Sequence, residues 1–82
     1  MLNKYNELLE MLESKYKVDR FYDLDEESCS ISNKNNYIAS IFVKNDYLEI
    51  SIKEIDTLDI IGIRGYKNTE YAYNFIERFL ED

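Results

Sequence analysis

Apolar residues recur at helical spacing near both ends of the chain, and this pattern predicts two amphipathic helices. The apolar stripe of the first helix, within residues 3–16, consists of Tyr5, Leu8, Leu9, Leu12 and Tyr16. The stripe of the second, within residues 69–81, consists of Ala72, Phe75, Ile76, Phe79 and Leu80. Asn3 is the expected N-cap of the first helix and Asn68 or Thr69 that of the second, because their side-chain oxygens accept hydrogen bonds from unpaired backbone N–H groups.

Between the helices, apolar and polar residues alternate with the period of a β-strand, and short polar pairs separate the runs. Asn45-Asp46 is a strong hairpin signal because both residues tolerate positive φ. The turn places three apolar pairs on one face of the sheet: Val43 with Leu48, Ile41 with Ile50, and Ala39 with Ile52. A slip of one residue would scatter these side chains between the faces, so the register is well specified.

A second turn, at Asp56-Thr57, predicts how the next strand pairs. It sets Ile61 opposite Ile52 and Ile63 opposite Ile50, on the same face as the apolar pairs of the first hairpin. Two further pairs fall on the opposite face, Glu49 with Arg64 and Lys53 with Ile60. Because two separate turns agree on one apolar face, the pattern indicates a single core.

Residues 17–23 predict a first strand, and Cys29 and Ile31 reach the common apolar face through a turn in Asn33–Asn36. Both helices need an apolar surface to pack on, so we expect them to cover that face. The sequence therefore predicts one α+β domain over residues 1–82. It has an N-terminal helix, a four- to five-stranded antiparallel β-meander and a C-terminal helix, arranged in two layers.

The opposite face of the predicted sheet is more apolar than a merely solvated face. Its apolar members are Ile38, Phe42, Tyr47, Ile55, Leu58 and Ile60. A contiguous exposed apolar surface usually marks an interface. The alternatives are that a helix crosses to cover this face, or that strong curl of the sheet buries part of it.

The chain has 17 acidic and 10 basic residues and a net charge of −7. This charge repels nucleic acid and anionic membranes and favours a basic partner, although many small cytosolic proteins are acidic for solubility alone. Acidic neighbours flank the basic cluster of Lys15, Lys17 and Arg20, so direct nucleic-acid binding is not expected. Neither a signal peptide nor an apolar run of the ~20 residues that cross a bilayer is evident, so we expect a cytoplasmic protein without membrane contact.

Several chemistries are disfavoured by the residues present. The absence of histidine and the single cysteine exclude His-based catalysis, Cys-rich zinc sites and an internal disulfide. Gly62 and Gly65 do not form a phosphate loop, and Gly65 is expected to shape the exit of the last strand. Asp23-x-Asp25-x-Glu27 has the spacing of the first ligands of a calcium loop, but Ser28 and Lys34 stand where that loop needs Gly and Glu. No carboxylate pair stands out for acid–base chemistry, so we expect no enzyme, cofactor or bound metal.

In size, acidity, abundance of Asn, Lys, Ile and Tyr, and helix–sheet–helix layout, the whole chain resembles the small acidic inhibitor proteins of bacteriophages, anti-CRISPR proteins above all. The resemblance is to the general type of protein and transfers no functional residue. It implies a protein of the host cytoplasm that binds and inhibits a bacterial nucleic-acid-handling complex. Many such inhibitors occupy a basic cleft meant for DNA or RNA, which is nucleic-acid mimicry.

Physical reasoning gives the same kind of partner, the basic surface of a protein or ribonucleoprotein complex, because carboxylates are attracted to a positive channel. The acidic candidates for binding are Asp23, Asp25, Glu26, Glu27, Glu49, Glu54, Asp56 and Asp59. Phe42, Tyr47 and Ile60 are the expected apolar anchors. The alternative is a homodimeric structural or regulatory module, or an immunity-type subunit, that associates through the outer sheet face.

Overall fold

The computed structural model describes residues 2–23, 26–32 and 36–81, and of residues 22, 23 and 26 it describes the backbone alone. The elements in chain order are α1 (Leu2–Glu13), β1 (Lys17–Asp23), β2 (Glu26–Ser32), β3 (Tyr37–Val43), β4 (Leu48–Glu54), β5 (Ile60–Tyr66) and α2 (Thr69–Leu80). The strands form one antiparallel sheet in the order β1-β2-β3-β4-β5. The predicted fold class is therefore confirmed. In the part of the chain that is described, no helix has both the length and the apolar character needed to cross a membrane.

Both helices bury the stripes that their spacing predicts. The residues buried from α1 and the turn after it are Tyr5, Leu8, Leu9, Leu12 and Tyr16. Those buried from α2 are Ala72, Ile76 and Leu80, with Phe75 and Phe79 packed half-buried beside them. Asn68 caps α2, because its Oδ1 accepts hydrogen bonds from the N–H groups of Glu70 at 2.9 Å and Tyr71 at 3.1 Å. The prediction of Asn3 as an N-cap is wrong, because α1 begins at Leu2 and Asn3 lies inside its first turn.

The core lies between the helices and one face of the sheet, here called the core face. Its buried sheet residues are Cys29, Ile31, Ala39, Ile41, Leu48, Ile50 and Ile52. All three predicted apolar pairs of the Asn45-Asp46 hairpin are present in the register of β3 and β4. The Lys44 N–H donates to the Tyr47 carbonyl at 3.0 Å and closes this turn. Full burial of a leucine or isoleucine side chain, as for Ile41, Leu48, Ile50 and Ile52, stabilises the fold by about 1.5–3 kcal/mol, which a register slip would forfeit.

The predicted register between β4 and β5 is wrong by one residue over most of its length. Neither Ile61 opposite Ile52 nor Ile63 opposite Ile50 is observed. The observed pairs are Leu48 with Tyr66, Glu49 with Gly65, Ile50 with Arg64, Ser51 with Ile63, and Ile52 with Gly62. The predicted pair of Lys53 with Ile60 is present.

A shift of register between Ile52 and Lys53 causes this difference. At that point β5 has one residue more than β4, as in a β-bulge, and every side chain beyond it changes face. Ile61 and Ile63 consequently turn away from the core and are 45% and 52% exposed. Gly62 takes the place on the core face, where a Cβ on it would lie 3.7 Å from Cζ of Phe75.

A cluster of charged and hydroxyl groups ties the turn after α1 to the end of α2. Lys15 Nζ lies 2.9 Å from carboxylate oxygens of both Glu77 and Glu81. The Tyr16 hydroxyl donates to Oε1 of Glu81 at 2.6 Å. The hydrogen bond from Lys15 lowers the pKa of Glu77, and those from Tyr16 and then Lys15 lower the pKa of Glu81. Because these groups are partly exposed, solvent screens much of their attraction.

Cys29 is a buried member of the core, as its alternating position predicts. Its side chain is 1% exposed, and burial raises the pKa of its thiol to about 11. The Tyr5 hydroxyl lies within hydrogen-bonding reach of the sulfur, and burial also raises the pKa of that hydroxyl. The thiol therefore stays protonated at neutral pH.

Candidate functional site

The connection between β4 and β5, residues 55–59, is a tightly hydrogen-bonded loop. The Leu58 N–H donates to the Glu54 carbonyl at 2.8 Å, and the Glu54 N–H donates to the Asp59 carbonyl at 3.0 Å. The Ile55 N–H donates to the Asn36 carbonyl at 2.8 Å and joins the loop to the connection between β2 and β3. These bonds run across the loop in both directions, so they hold it in one shape.

Leu58 has an unusual backbone conformation within this loop. Its φ is 59°, and it is the one non-glycine residue with positive φ in the described chain. This left-handed conformation costs an L-residue about 1–2 kcal/mol. The side chain is 65% exposed, so little packing offsets that cost. Strained residues of this kind persist where the surrounding structure enforces them, and they cluster at functional sites.

Acidic residues surround the exposed leucine. The acidic tip, as we call this surface, consists of Glu54, Ile55, Asp56, Leu58, Asp59 and Ile60. Ile55, Leu58 and Ile60 are 39%, 65% and 54% exposed. Asp56 and Asp59 are exposed, and Glu54 is half-buried at the end of β4. The tip therefore combines aliphatic anchors with negative charge on one rigid loop.

Four of the residues predicted to bind a partner, Glu54, Asp56, Asp59 and Ile60, come together in the acidic tip. The sequence assigned Leu58 only to the apolar outer face and not to the site. The one sequence signal for strain at this position is a leucine next to the predicted Asp-Thr turn. Tight turns often contain a residue with positive φ, and a leucine takes up that conformation only at a cost in free energy. Recognising this needs the hydrogen-bond pattern of the loop.

Three other predicted residues, Phe42, Tyr47 and Glu49, gather at the opposite end of the sheet. Phe42 and Glu49 are direct cross-strand partners, and the Tyr47 ring lies over Gly65, the other neighbour of Glu49. From Glu49 to Glu54 is five residues along β4, or about 17 Å. The predicted carboxylates therefore do not form one continuous array.

Three of the predicted acidic binding residues, Asp23, Glu26 and Glu27, lie within strands. Strand pairing extends to Asp23 with Glu26, so Glu26 and Glu27 belong to β2. Glu27 is half-buried, and its Oε2 is buried without a hydrogen-bond partner among the described atoms. Asp25 and the side chains of Asp23 and Glu26 lie outside the described residues. Their role in binding stays a prediction.

The face opposite the core, here called the open face, is apolar at its margins and polar at its centre. At the middle of the strands, the residues that lie opposite one another from β2 to β4 are all serines, Ser30, Ser40 and Ser51. The partner of Ser51 on β5 is Ile63. Phe21 on β1 is 53% exposed, and Ile60 and Ile63 on β5 are 54% and 52% exposed. The exposed apolar surface that the sequence predicts for this face therefore lies mainly along the two edge strands.

Gly65 has a role that the sequence did not indicate. A Cβ on it would lie 2.9 Å from Cδ2 of Tyr47. Glycine at this position therefore leaves the space that the aromatic ring occupies, and its φ is not positive.

Among the described residues, no three acidic or cysteine side chains are grouped closely enough to hold a metal ion. Comparison with known protein families, with curated proteins and with solved structures finds no match for this chain. Function is therefore inferred from the chemistry of the acidic tip and of the sheet.

Proposed function

We propose that this protein is a non-catalytic binding module whose acidic tip occupies the basic surface of a protein or ribonucleoprotein complex. The observation that carries the proposal is Leu58. Its backbone is strained and its side chain is 65% exposed. A leucine held out in this way suits an apolar pocket on a partner, where burial would recover the free energy that the strain costs.

Charge gives the tip its preference for a basic partner. Residues 54–63 contain three carboxylates and no basic residue. The net charge of −7 adds long-range attraction to a positive surface and speeds association at low salt. Charge alone gives little affinity once solvent screens it, so the aliphatic anchors supply the desolvated contact.

The class of partner follows from this charge and from the resemblance to small acidic phage inhibitors. A channel that holds DNA or RNA is lined with basic residues, so a compact acidic tip can compete for it. We propose that the protein acts in the cytoplasm by blocking a bacterial nucleic-acid-handling complex. The separation of the carboxylates between two ends of the sheet favours contact by one tip over mimicry of an extended phosphate backbone.

The test is inhibition of target-DNA cleavage by guide-RNA-loaded CRISPR effector complexes, measured against the concentration of the purified chain. Leu58→Asn removes the anchor while keeping a residue that tolerates positive φ, and Asp56→Lys reverses one charge. We expect each change to weaken inhibition about tenfold, which corresponds to about 1.4 kcal/mol of binding free energy. Higher salt should weaken inhibition by the wild type.

Two matched controls lie outside the tip. Leu2→Asn makes the same substitution at a leucine that is 50% exposed on α1. Asp46→Lys makes the same charge change in the exposed turn between β3 and β4. Both controls should inhibit as well as the wild type. Absence of inhibition by the wild type, or equal inhibition by tip and control variants, would contradict the proposal.

The alternative function, a homodimeric module joined through the outer sheet face, is less well supported. The centre of the open face carries serines, and the Phe42 ring has Lys44 Nζ 5.8 Å from its centroid. The exposed apolar side chains lie along β1 and β5 instead. Loss of a dimer in Phe42→Asp, with no change in Leu58→Asn, would favour this alternative.

A further inference from the structure

A groove of about 270 Å³ lies between α2 and the C-terminal end of β5. Its lining residues are Tyr66, Tyr71, Asn74, Phe75 and Arg78. Four of them project from one side of α2, because positions 71, 74, 75 and 78 recur at helical spacing. Three aromatic rings, one amide and one guanidinium therefore come together at a place that no residue of the acidic tip lines.

We propose that this groove binds a single nucleotide, with the base stacked on Tyr71 and the phosphate held by Arg78. Every nucleobase has a planar face that stacks on an aromatic side chain, and a guanidinium binds phosphate through two parallel N–H bonds. Asn74 lies between the two, and its amide both donates and accepts hydrogen bonds, as the edge of a base does. From Tyr71 to Arg78 is about 10 Å along α2, which is comparable to the length of a nucleotide from its base to its phosphate. This binding does not depend on the proposed role of the acidic tip.

Packing holds the inner wall of the groove in place. The ring centroids of Tyr66 and Phe75 are 5.6 Å apart, and those of Phe75 and Phe79 are 5.3 Å apart. Tyr71 differs from these rings, since it is 65% exposed and packs against no other ring in the described part of the chain. The wall is therefore formed before a ligand arrives, while one exposed ring is left to gain contact area from stacking.

Arg78 has no ion pair with a carboxylate among the described residues. The acidic residues nearest to it in the sequence that the structure describes, Glu77 and Glu81, both contact Lys15 at 2.9 Å. Lys15 belongs to the turn after α1, so these two carboxylates are held toward α1 instead. The guanidinium of Arg78 is therefore left to bind an anionic ligand.

Positive charge gathers at the groove although the chain carries a net charge of −7. Arg64 is exposed and lies on the core face with Tyr66, since their partners on β4 are the buried Ile50 and Leu48. Arg64 and Arg78 therefore lie on the same side of the sheet, one on the strand and one on the helix. Salt screens charges beyond about 8 Å at physiological ionic strength, so these local charges decide how a small anion binds. A long strand of nucleic acid would also meet the acidic surface, which is why the ligand is a single nucleotide.

The first test titrates the full chain with adenosine 5′-monophosphate (AMP) in an isothermal calorimeter. We expect saturable binding with a Kd of about 1 mM or tighter. Adenosine lacks the phosphate and ribose 5-phosphate lacks the base, so each should bind about tenfold more weakly than AMP or worse. No saturable binding of AMP in this range would overturn the proposal, and so would equal affinity for AMP and either fragment.

A single-stranded RNA of six adenylates distinguishes one nucleotide from a strand. Its affinity should be within about tenfold of that for AMP or weaker, because its remaining phosphates meet the acidic surface of the chain. Tighter binding than that would show a groove for nucleic acid and contradict the assignment of a single nucleotide.

Two substitutions in the groove test the roles of its residues. Tyr71→Ala and Arg78→Gln should each weaken AMP binding about tenfold, and both should keep the fold because both side chains are exposed. Arg78→Gln should also lose most of the preference for AMP over adenosine, whereas Tyr71→Ala should keep it. Phe21→Ala and Lys17→Gln are the matched controls, since both side chains are exposed on β1, at the far edge of the sheet, and both variants should bind AMP as the wild type does. An unchanged preference for AMP in Arg78→Gln, or equal weakening by control and groove variants, would refute the assignment.

NMR spectra of the ¹⁵N-labelled chain locate the ligand. Addition of AMP should shift the amide signals of residues 71–78 and leave those of β1 unchanged. The same spectra show whether each variant keeps the fold. The largest shifts at β1 or at the acidic tip would place the ligand elsewhere and overturn the proposal.

Discussion

Two glycines of β5, Gly62 and Gly65, should respond in opposite ways to replacement by alanine. Neither has positive φ, so alanine suits the backbone at both positions. A Cβ at Gly65 would lie 2.9 Å from Cδ2 and 3.3 Å from Cε2 of Tyr47. A Cβ at Gly62 would lie 3.7 Å from Cζ of Phe75, which is ordinary van der Waals contact. The neighbouring side chains therefore decide the sign of the effect.

The magnitudes follow from two opposing contributions. Alanine in place of glycine restricts the unfolded chain and stabilises a protein by about 0.4–1 kcal/mol where the native backbone accepts it. Overpacking against an aromatic ring costs about 1–3 kcal/mol. We therefore expect Gly62→Ala to raise the free energy of unfolding by about 0.5 kcal/mol and Gly65→Ala to lower it by about 1 kcal/mol. For a domain of this size, 1 kcal/mol shifts Tm by about 4–8 °C.

Urea denaturation followed by circular dichroism measures both changes. The Tyr47→Ala variant supplies the control background, because it removes the ring that the new Cβ would meet. In that background Gly65→Ala should become stabilising by about 0.5 kcal/mol, a coupling of about 1.5 kcal/mol. Equal effects of the two alanine substitutions, or the same effect of Gly65→Ala in both backgrounds, would refute the reasoning.

Two further predictions concern ionisable groups. The pKa values of Glu77 and Glu81 are lowered from an ordinary 4.5, so their contribution to stability is present above that pH and is lost as the pH falls through the folded values. Lys15→Met should therefore reduce the loss of stability between pH 5 and pH 3, and parallel pH profiles of the variant and the wild type would contradict this. Burial raises the pKa of Cys29 to about 11, so iodoacetamide at pH 8 should label the thiol only as the chain unfolds. Labelling well below the unfolding midpoint in urea would show that the core opens locally at Cys29.

Much of the fold was predictable because local signals agreed with one another. The spacing of Leu8, Leu9 and Leu12 identifies the buried side of α1 wherever that helix packs. The Asn45-Asp46 turn sets a register that places apolar residues opposite one another in both strands, and only that register buries them together. A segment with one turn and one apolar face leaves a single arrangement of low free energy.

The pairing of β5 could not be predicted in this way. Ile60, Ile61 and Ile63 lie on both parities of the alternation, so the sequence offers two apolar faces and no means of choosing between them. The prediction assumed that β5 pairs with β4 without interruption from the Asp56-Thr57 turn onward, and this assumption gave the wrong register. The extra residue at the start of β5 and the hydrogen bonds of the loop decide which isoleucines face the core.

The candidate site was predictable in part. Glu54, Asp56 and Asp59 are near neighbours in the chain, so a turn between two strands brings them together in any meander. The sequence groups them with Asp23 and Glu49, which the structure places at the other end of the sheet, because connections alternate between the two ends of a meander. The strain at Leu58 was not predictable, since it depends on where the hydrogen bonds between Glu54 and Asp59 close the loop.

The sequence by itself determined the two helices, the meander and the core face of β3 and β4, because each follows from the spacing of residues within one short segment. Its composition set the negative charge. The tertiary structure alone decided that β5 turns its isoleucines outward, that Gly65 leaves room for Tyr47, and that Leu58 is held in a strained conformation. The first two features depend on contacts between different strands, and the third on the hydrogen bonds that close the loop between β4 and β5. A strand with a neighbour on only one side has few such contacts, so its pattern of residues alone does not specify its register.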